Sequence, residues 1–387
     1  MFEPTYTAAV TRLNAFAPKA GRDYASKRNY DDLAHVSALS PYIRHRIVTE
    51  EDVLKTVLAR HSAAAAEKFI QEVYWRTYWK GWLEMRPAVW DMYRADLNAA
   101  RNRLQTESGL RQDWEAACKG ETGIDCFDHW ARQLADTGYL HNHARMWFAS
   151  IWIFTLRLPW TLGADFFMRH LLDGDPASNT LSWRWVGGLQ TVGKTYLARP
   201  DNIAKYTEGR FDPKGLATFA APLEGPPAPQ RGAVPVSDRV NPALRTGLLI
   251  TEEDLSPGWL AQQVQHSAVA MVQTTAARSP LTVSERVTAF VADAQKDAVV
   301  RYADKLGPVS HVTPEAVADW AAAHDVAQIV SPYIPTGPTR DALKDVRLCQ
   351  IIRPYDSAAW PHATHGFFRF KDKIPALLGD MKGLRLA

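Results

Sequence analysis

Cysteine is scarce: Cys118, Cys126 and Cys349 are the three in 387 residues. Three thiols make no disulfide framework, the Cys118–Cys126 spacing is too wide for a CxxC metal half-site, and a four-cysteine iron–sulfur cluster is excluded by count. A reducing compartment is expected. Long apolar runs are missing too. The most hydrophobic stretch, Met146 to Leu156, stops at Arg157, short of the roughly 20 residues a membrane span needs. The first residues carry no basic-then-apolar leader pattern, so a cytoplasmic protein without a membrane partner is expected. Neither charge dominates. Up to residue 250 there are 31 basic and 27 acidic residues, and beyond it 14 and 15, so neither half is a polybasic nucleic-acid tail. Net charge says nothing about placement, and a local basic groove is compatible with it.

Tryptophan is abundant, with 14 residues, of which 11 fall between Trp75 and Trp185. Such side chains build aromatic cores and also stack on flat ligands and bases. From about residue 31 to 185 the pattern is helical. Thr49-Glu-Glu-Asp52 reads as a capping-box start. Phe69, Val73 and Arg76 fall on one helix face with Glu72, Trp75 and Trp79 alongside. Further helices are expected from Ile124 to near Gly138, and from Ala144 to Leu158, halted by Pro159. The segment Phe211 to Leu244 holds seven prolines and reads as a linker or extended strap. Beyond it, strand-length runs at 247–250, 269–272, 309–312, 327–330 and 348–352 alternate with helical stretches, which predicts a small parallel α/β sheet.

Three local patterns suggest chemistry that their context rejects. Gly188-Leu-Gln-Thr-Val-Gly193-Lys194-Thr195 fits the P-loop expression, but no strand precedes it and Pro200 leaves no room for the helix whose N-terminus would face phosphates. Asp173-Gly-Asp175 lacks the further acids and terminal glutamate of a calcium loop. His141 and His143, two apart on a helix, point in different directions and make no zinc pair; no metal is expected.

The same segments, taken in order, resemble the FAD-binding domain of the photolyase/cryptochrome family. The resemblance runs through Tyr24, Arg28-Asn29, Ser37-Ala-Leu-Ser40-Pro-Tyr42, Glu72-Val-Tyr-Trp75-Arg76, Thr122-Gly-Ile-Asp125 and Leu134-Ala-Asp-Thr-Gly138. It continues through His141-Asn142-His143-Ala-Arg145-Met146, Trp160, Asp173-Gly-Asp175, Asn179 and Trp183-Arg-Trp185, covering about residues 20 to 210. It implies a mostly α fold, with an all-α FAD-binding domain over 1–210, the proline-rich linker over 211–244 and a smaller Rossmann-like α/β domain over 245–387. Because that family's α/β domain ordinarily precedes the FAD domain, the order here looks like a rearrangement, and the antenna chromophore, if one is held, is left open.

The resemblance implies cofactor contacts at Tyr24, Ser37, Leu39, Ser40, Phe69, Arg76, Asn142, Arg145, Asp173, Asp175 and Asn179. Asn179 would face the flavin's reactive nitrogen, and Arg145 with Asp173 would form an ion pair beside the ring. Small hydroxyls at a helix start and a dry aromatic pocket suit a diphosphate and a flavin. For substrate, Trp75 and Trp185 would stack on a flipped-out pyrimidine dimer, Glu72 would bond its carbonyl, and Met146, Arg28 and His143 would complete the DNA contacts. Glu72 next to Arg76 at i,i+4 spacing also reads as an ordinary helix salt bridge.

Two departures stand out. His143 occupies an arginine position of the family. The electron-relay tryptophans are matched at Trp183 and Trp160, while Glu107 stands at the outer member's place, with Trp147, Trp152 or Trp90 as substitutes. The expected function is light-driven repair of cyclobutane pyrimidine dimers in damaged DNA, with Glu72, Asn179, Trp183 and Trp160 as catalytic residues. The alternative is a cryptochrome-like blue-light sensor acting through a signalling partner.

Overall fold

The computed structural model describes residues 2–381. Twelve helices come first: α1 (Tyr6–Phe16), α2 (Arg22–Lys27), α3 (Ser40–Arg44), α4 (Glu50–Leu58), α5 (Glu67–Glu84), α6 (Ala88–Thr106), α7 (Ser108–Lys119), α8 (Asp125–Thr137), α9 (Asn142–Ser150), α10 (Trp160–His170), α11 (Pro176–Val186) and α12 (Pro200–Tyr206). Local chemistry sets several ends. Thr49 and Asp52 exchange side-chain and backbone bonds in the capping box that opens α4. Gly138 closes α8 at φ 71°, a conformation that glycine adopts without strain. Asp175 caps α11 by accepting from the Ser178 amide at 2.8 Å, with Pro176 at the first position.

The helix expected over 144–158 is shorter. α9 ends at Ser150, and Ile151–Thr155 widen into a π turn whose Trp152 indole donates to the Pro159 carbonyl at 3.0 Å.

The α/β part is a five-stranded parallel sheet: β1 (Thr246–Thr251), β2 (Ala268–Val272), β3 (Val309–Val312), β4 (Gln328–Pro332) and β5 (Cys349–Ile351), in spatial order β3-β2-β1-β4-β5. The central strand β1 is buried on both faces, as a covered parallel sheet requires. The strand order reverses between β1 and β4, so the carboxyl end of β1 is the topological switch point.

The intervening segment contains neither helix nor strand from Phe211 to Arg245, yet it is held along its length. Leu223 donates to the Gly187 carbonyl, Gly232 to that of Met85, and Asp238 to that of Gln350. It is a strap from the turn after α11 to the free side of β5. The chain's last described stretch returns to α5: Tyr78 donates to the His365 carbonyl at 2.6 Å, and Trp360 leaves no space for a side chain at Gly81. One apolar core runs from Ala9 to Met381 through both parts. No described helix is long and apolar enough to cross a membrane.

Candidate functional site

A cavity of about 880 Å³ opens among α2, α5, α9, α11 and the segment after α11. Helical spacing explains its walls. On α5, Phe69, Glu72, Val73 and Arg76 repeat at three and four residues, and Trp75 and Trp79 form the adjoining stripe. On α9, Asn142, His143, Arg145, Met146 and Ala149 do the same. On α11 the pairs Ser178–Ser182 and Asn179–Trp183 lie one turn apart, with Trp185 and Val186 closing the wall. Tyr24, Arg28, Ser37 and Ser40 come from the N-terminal segment, and Asp173 and Asp175 from the turn before α11.

Two of the expected residues lie elsewhere. Leu39 is fully buried at the N-cap of α3 and points into the core. Trp160 packs on Tyr93 with centroids 5.7 Å apart, outside the lining. Trp183 does line the cavity, and its aromatic neighbours are Trp152 at 6.2 Å and Phe167 at 5.1 Å. Glu107 is exposed and paired with Arg103. The Glu72–Arg76 helix pair does not form. Glu72 instead accepts from Arg28 Nη1 at 2.6 Å, and Arg76 faces Glu50 and Asp175 at 3.6 Å each.

Sequence reading missed other lining residues. Ser178 and Ser182 were findable from the α11 spacing. Tyr196, Arg199, Asn202 and Tyr206 follow Trp183-Arg-Trp185, the last motif of the resemblance, so no motif flagged them. Two of them meet His143: the Tyr196 hydroxyl lies 3.4 Å from its Nε2 and the Tyr206 ring 5.2 Å from its ring, while that ring stacks on Trp147 at 4.0 Å and its Nδ1 bonds the Asn29 carbonyl at 2.9 Å. The P-loop-like residues Gly188–Thr195 form consecutive turns between α11 and α12, without a preceding strand.

The electrostatics are concentrated on one side. Arg145 donates to Asp173 at 2.8 Å. Asp175, buried, is surrounded by Arg76, Lys80 and Arg44 at 3.6–3.8 Å. Burial works to raise its carboxyl, but the three cations and the Ser178 amide outweigh it and hold Asp175 far below the usual carboxylate range. Burial lowers the Lys80 ammonium against the pull of Asp175. At the other wall, burial raises the Glu72 carboxyl despite Arg28, and burial lowers His143.

The fit of a polar, flat cofactor can be tested on unspent hydrogen-bonding groups. Among the described residues, Arg76 Nε, Asp173 Oδ1, Asp175 Oδ1 and Ser178 Oγ are buried and have no hydrogen-bond partner, and all four residues line the cavity. Buried polar atoms in folded proteins are nearly always paired. Asn179 spends its Nδ2 on the Ala164 carbonyl at 2.8 Å. A ligand with several donors and acceptors and an aromatic body matches these walls, as FAD does.

Residues 69–219 match the family model of the FAD binding domain of DNA photolyase. The chain is similar to the deoxyribodipyrimidine photo-lyase of Alkalihalophilus pseudofirmus, at 30% identity over 54% of this chain and 42% of that protein. It is similar to that of Thermus thermophilus, at 32% over 55% and 49%. A crystal structure of a class III photolyase from Agrobacterium tumefaciens matches 53% of this chain and 43% of its own at 27% identity, with a TM-score of 0.46. The chain thus spans less than half the length of these relatives. The matched part of the chain is thus a FAD-binding domain of the photolyase/cryptochrome family, with FAD as its cofactor.

Proposed function

We propose that the chain carries out light-driven repair of cyclobutane pyrimidine dimers in DNA. The observation that carries this reading is the continuity of one cavity: Asn179, Asp175 and the Arg145–Asp173 pair share it with Trp75, Trp185, Glu72 and Met146. When bound and reduced, FAD supplies the electron that light excitation makes available. The protein's task is to hold the lesion and keep out water. Trp75 and Trp185 offer π faces to a dimer extruded from the helix, a lesion whose unpairing costs less than that of an intact base. With Arg28, now on Glu72, exchanged to a DNA phosphate, burial keeps the Glu72 carboxyl protonated and its O–H donates to the base carbonyl. Asn179 and the Arg145–Asp173 pair orient the cofactor, and Ser37 and Ser40 offer hydroxyls to its diphosphate. On this reading the cofactor domain spans residues 1–210, and the described residues of the segment 245–387 brace it.

A second reading, a blue-light sensor without repair, is favoured by one set of contacts. The groups expected to meet DNA already have partners: Glu72 has Arg28, Trp185 has Tyr196 at 5.6 Å, and Trp75 has Phe367 at 3.6 Å. The test is illumination of the reduced holoprotein with a thymine-dimer oligonucleotide. Repair that is lost in Trp75→Ala and Glu72→Ala, with FAD retained, supports the enzyme. Photoreduction with the dimer intact supports the sensor.

A further inference from the structure

We infer that Glu253, at the carboxyl end of β1 and outside the cavity, is a positioning residue of the flavin site that acts through Arg44 on Asp175; this rests on the FAD site proposed above. Arg44, fully buried at the end of α3, is bound in three directions. Its Nη1 and Nη2 donate to the two oxygens of Glu253 at 2.6 and 2.8 Å, and its Nε donates to the Gly174 carbonyl at 2.9 Å and lies 3.8 Å from Asp175 Oδ1. One rigid guanidinium therefore ties the α/β sheet to the turn that supplies Asp173 and Asp175. Glu253 is itself fixed by the Thr339 hydroxyl at 3.0 Å, and Thr339 bonds Thr274 at 2.7 Å.

The pairing is part of a matched set. Arg44-His45-Arg46 meets Glu252-Glu253-Asp254: His45 Nδ1 bonds the Glu252 carbonyl at 2.7 Å, and Arg46 lies 3.7 Å from Asp254. Arg46 holds φ at +49°, an unfavourable region for a side-chain-bearing residue, which shows that the surrounding contacts over-determine this segment. The matched set fills the switch point of the sheet, where α/β proteins ordinarily bind ligands, with the chain's own arginine.

The consequence is electrical. Three cations, Arg44, Arg76 and Lys80, converge on one cavity-lining carboxylate whose Oδ1 has no hydrogen-bond partner among the described residues. Asp175 Oδ1 is held by charge balance, and Glu253 supplies the countercharge to Arg44. A buried pair of this kind contributes little net stability against an apolar replacement, so its retention is better explained by position and potential.

Removing the Glu253 charge leaves Arg44 uncompensated beside the site and favours negative charge arriving on the flavin. In the FAD-loaded protein, Glu253→Gln is expected to raise the flavin midpoint potential above wild type. Arg44→Gln is expected to lower it, and the double variant to return close to wild type. Should Glu253→Gln not fold, Arg44→Gln against the double variant reads the same charge, with the double variant at the higher potential. Equal potentials and equal FAD affinities across these proteins would overturn the inference and leave Glu253 a packing residue. A wild-type protein that takes up no FAD in the dark would overturn the site reading on which the inference rests.

Discussion

Phe367 lies flat against Trp75, with ring centroids 3.6 Å apart and planes 12° from parallel. Phe367 is buried and outside the cavity lining, so it backs one of the two tryptophans offered to substrate. The C-terminal stretch therefore reaches the site from more than 280 positions away in sequence, and it does so by stacking.

Phe367→Ala is expected to cost about 3–5 kcal/mol of stability, as truncation of a buried phenylalanine does. Phe367→Leu, which keeps most of the volume, should recover most of this. Both variants should bind a dimer-containing oligonucleotide more weakly than wild type, because Trp75 gains rotational freedom. Chemical denaturation and fluorescence titration separate the two effects. Unchanged affinity in Phe367→Ala would show that Trp75 is held without it.

A Cβ at Gly163 would overlap the indole of Trp183 and would lie 2.9 Å from that of Trp152. Gly163→Ala should cost about 1–3 kcal/mol by overpacking. It should also displace Trp183 and slow photoreduction of the bound flavin by an external donor. Transient absorption reads the second effect independently of the first.

Trp183 touches Trp152, whereas Trp160 touches Tyr93. Electron hopping weakens steeply with separation, so Trp152→Phe is expected to slow photoreduction more than Trp160→Phe. The opposite order would restore the relay expected from the family resemblance.

The Glu253 carboxyl is held down at about 2 against an ordinary 4.5, since the Arg44 ion pair and its hydrogen bonds overcome the burial that acts to raise it. Asp175 is depressed as well. The folded chain then binds fewer protons than the unfolded chain in this window, so stability rises with pH there. These contributions are complete above pH 4.5 and disappear as the pH falls toward about 2. Melting temperatures followed from pH 5 downward should drop steeply, and Glu253→Gln should flatten the profile. A parallel profile in the variant would contradict this.

Much of the site was legible because helical periodicity is local. Phe69, Glu72 and Arg76 on α5, and Asn179 and Trp183 on α11, share faces that can be counted directly along the chain. The five strands were legible for a similar reason, as short apolar runs between helical stretches. Partners were not. Glu72 turns to Arg28 rather than to Arg76 one helical turn away, because tertiary packing brings α2 closer than helix geometry brings the i+4 side chain. Arg44 and Glu253 are 209 residues apart, and a charge in a sequence carries no label for its mate. Leu39 shows the converse, a residue inside a matched motif whose side chain faces the core.

The central claim is that one cavity holds both the cofactor and the lesion. The most direct test is a single experiment on the FAD-loaded, reduced chain: dark binding of a thymine-dimer oligonucleotide against its undamaged counterpart, followed by illumination and recovery of thymine absorbance. The account predicts tighter binding of the damaged strand and light-dependent recovery, both lost in Trp185→Ala with FAD retained. Equal binding of the two strands, with no recovery under light, would contradict it.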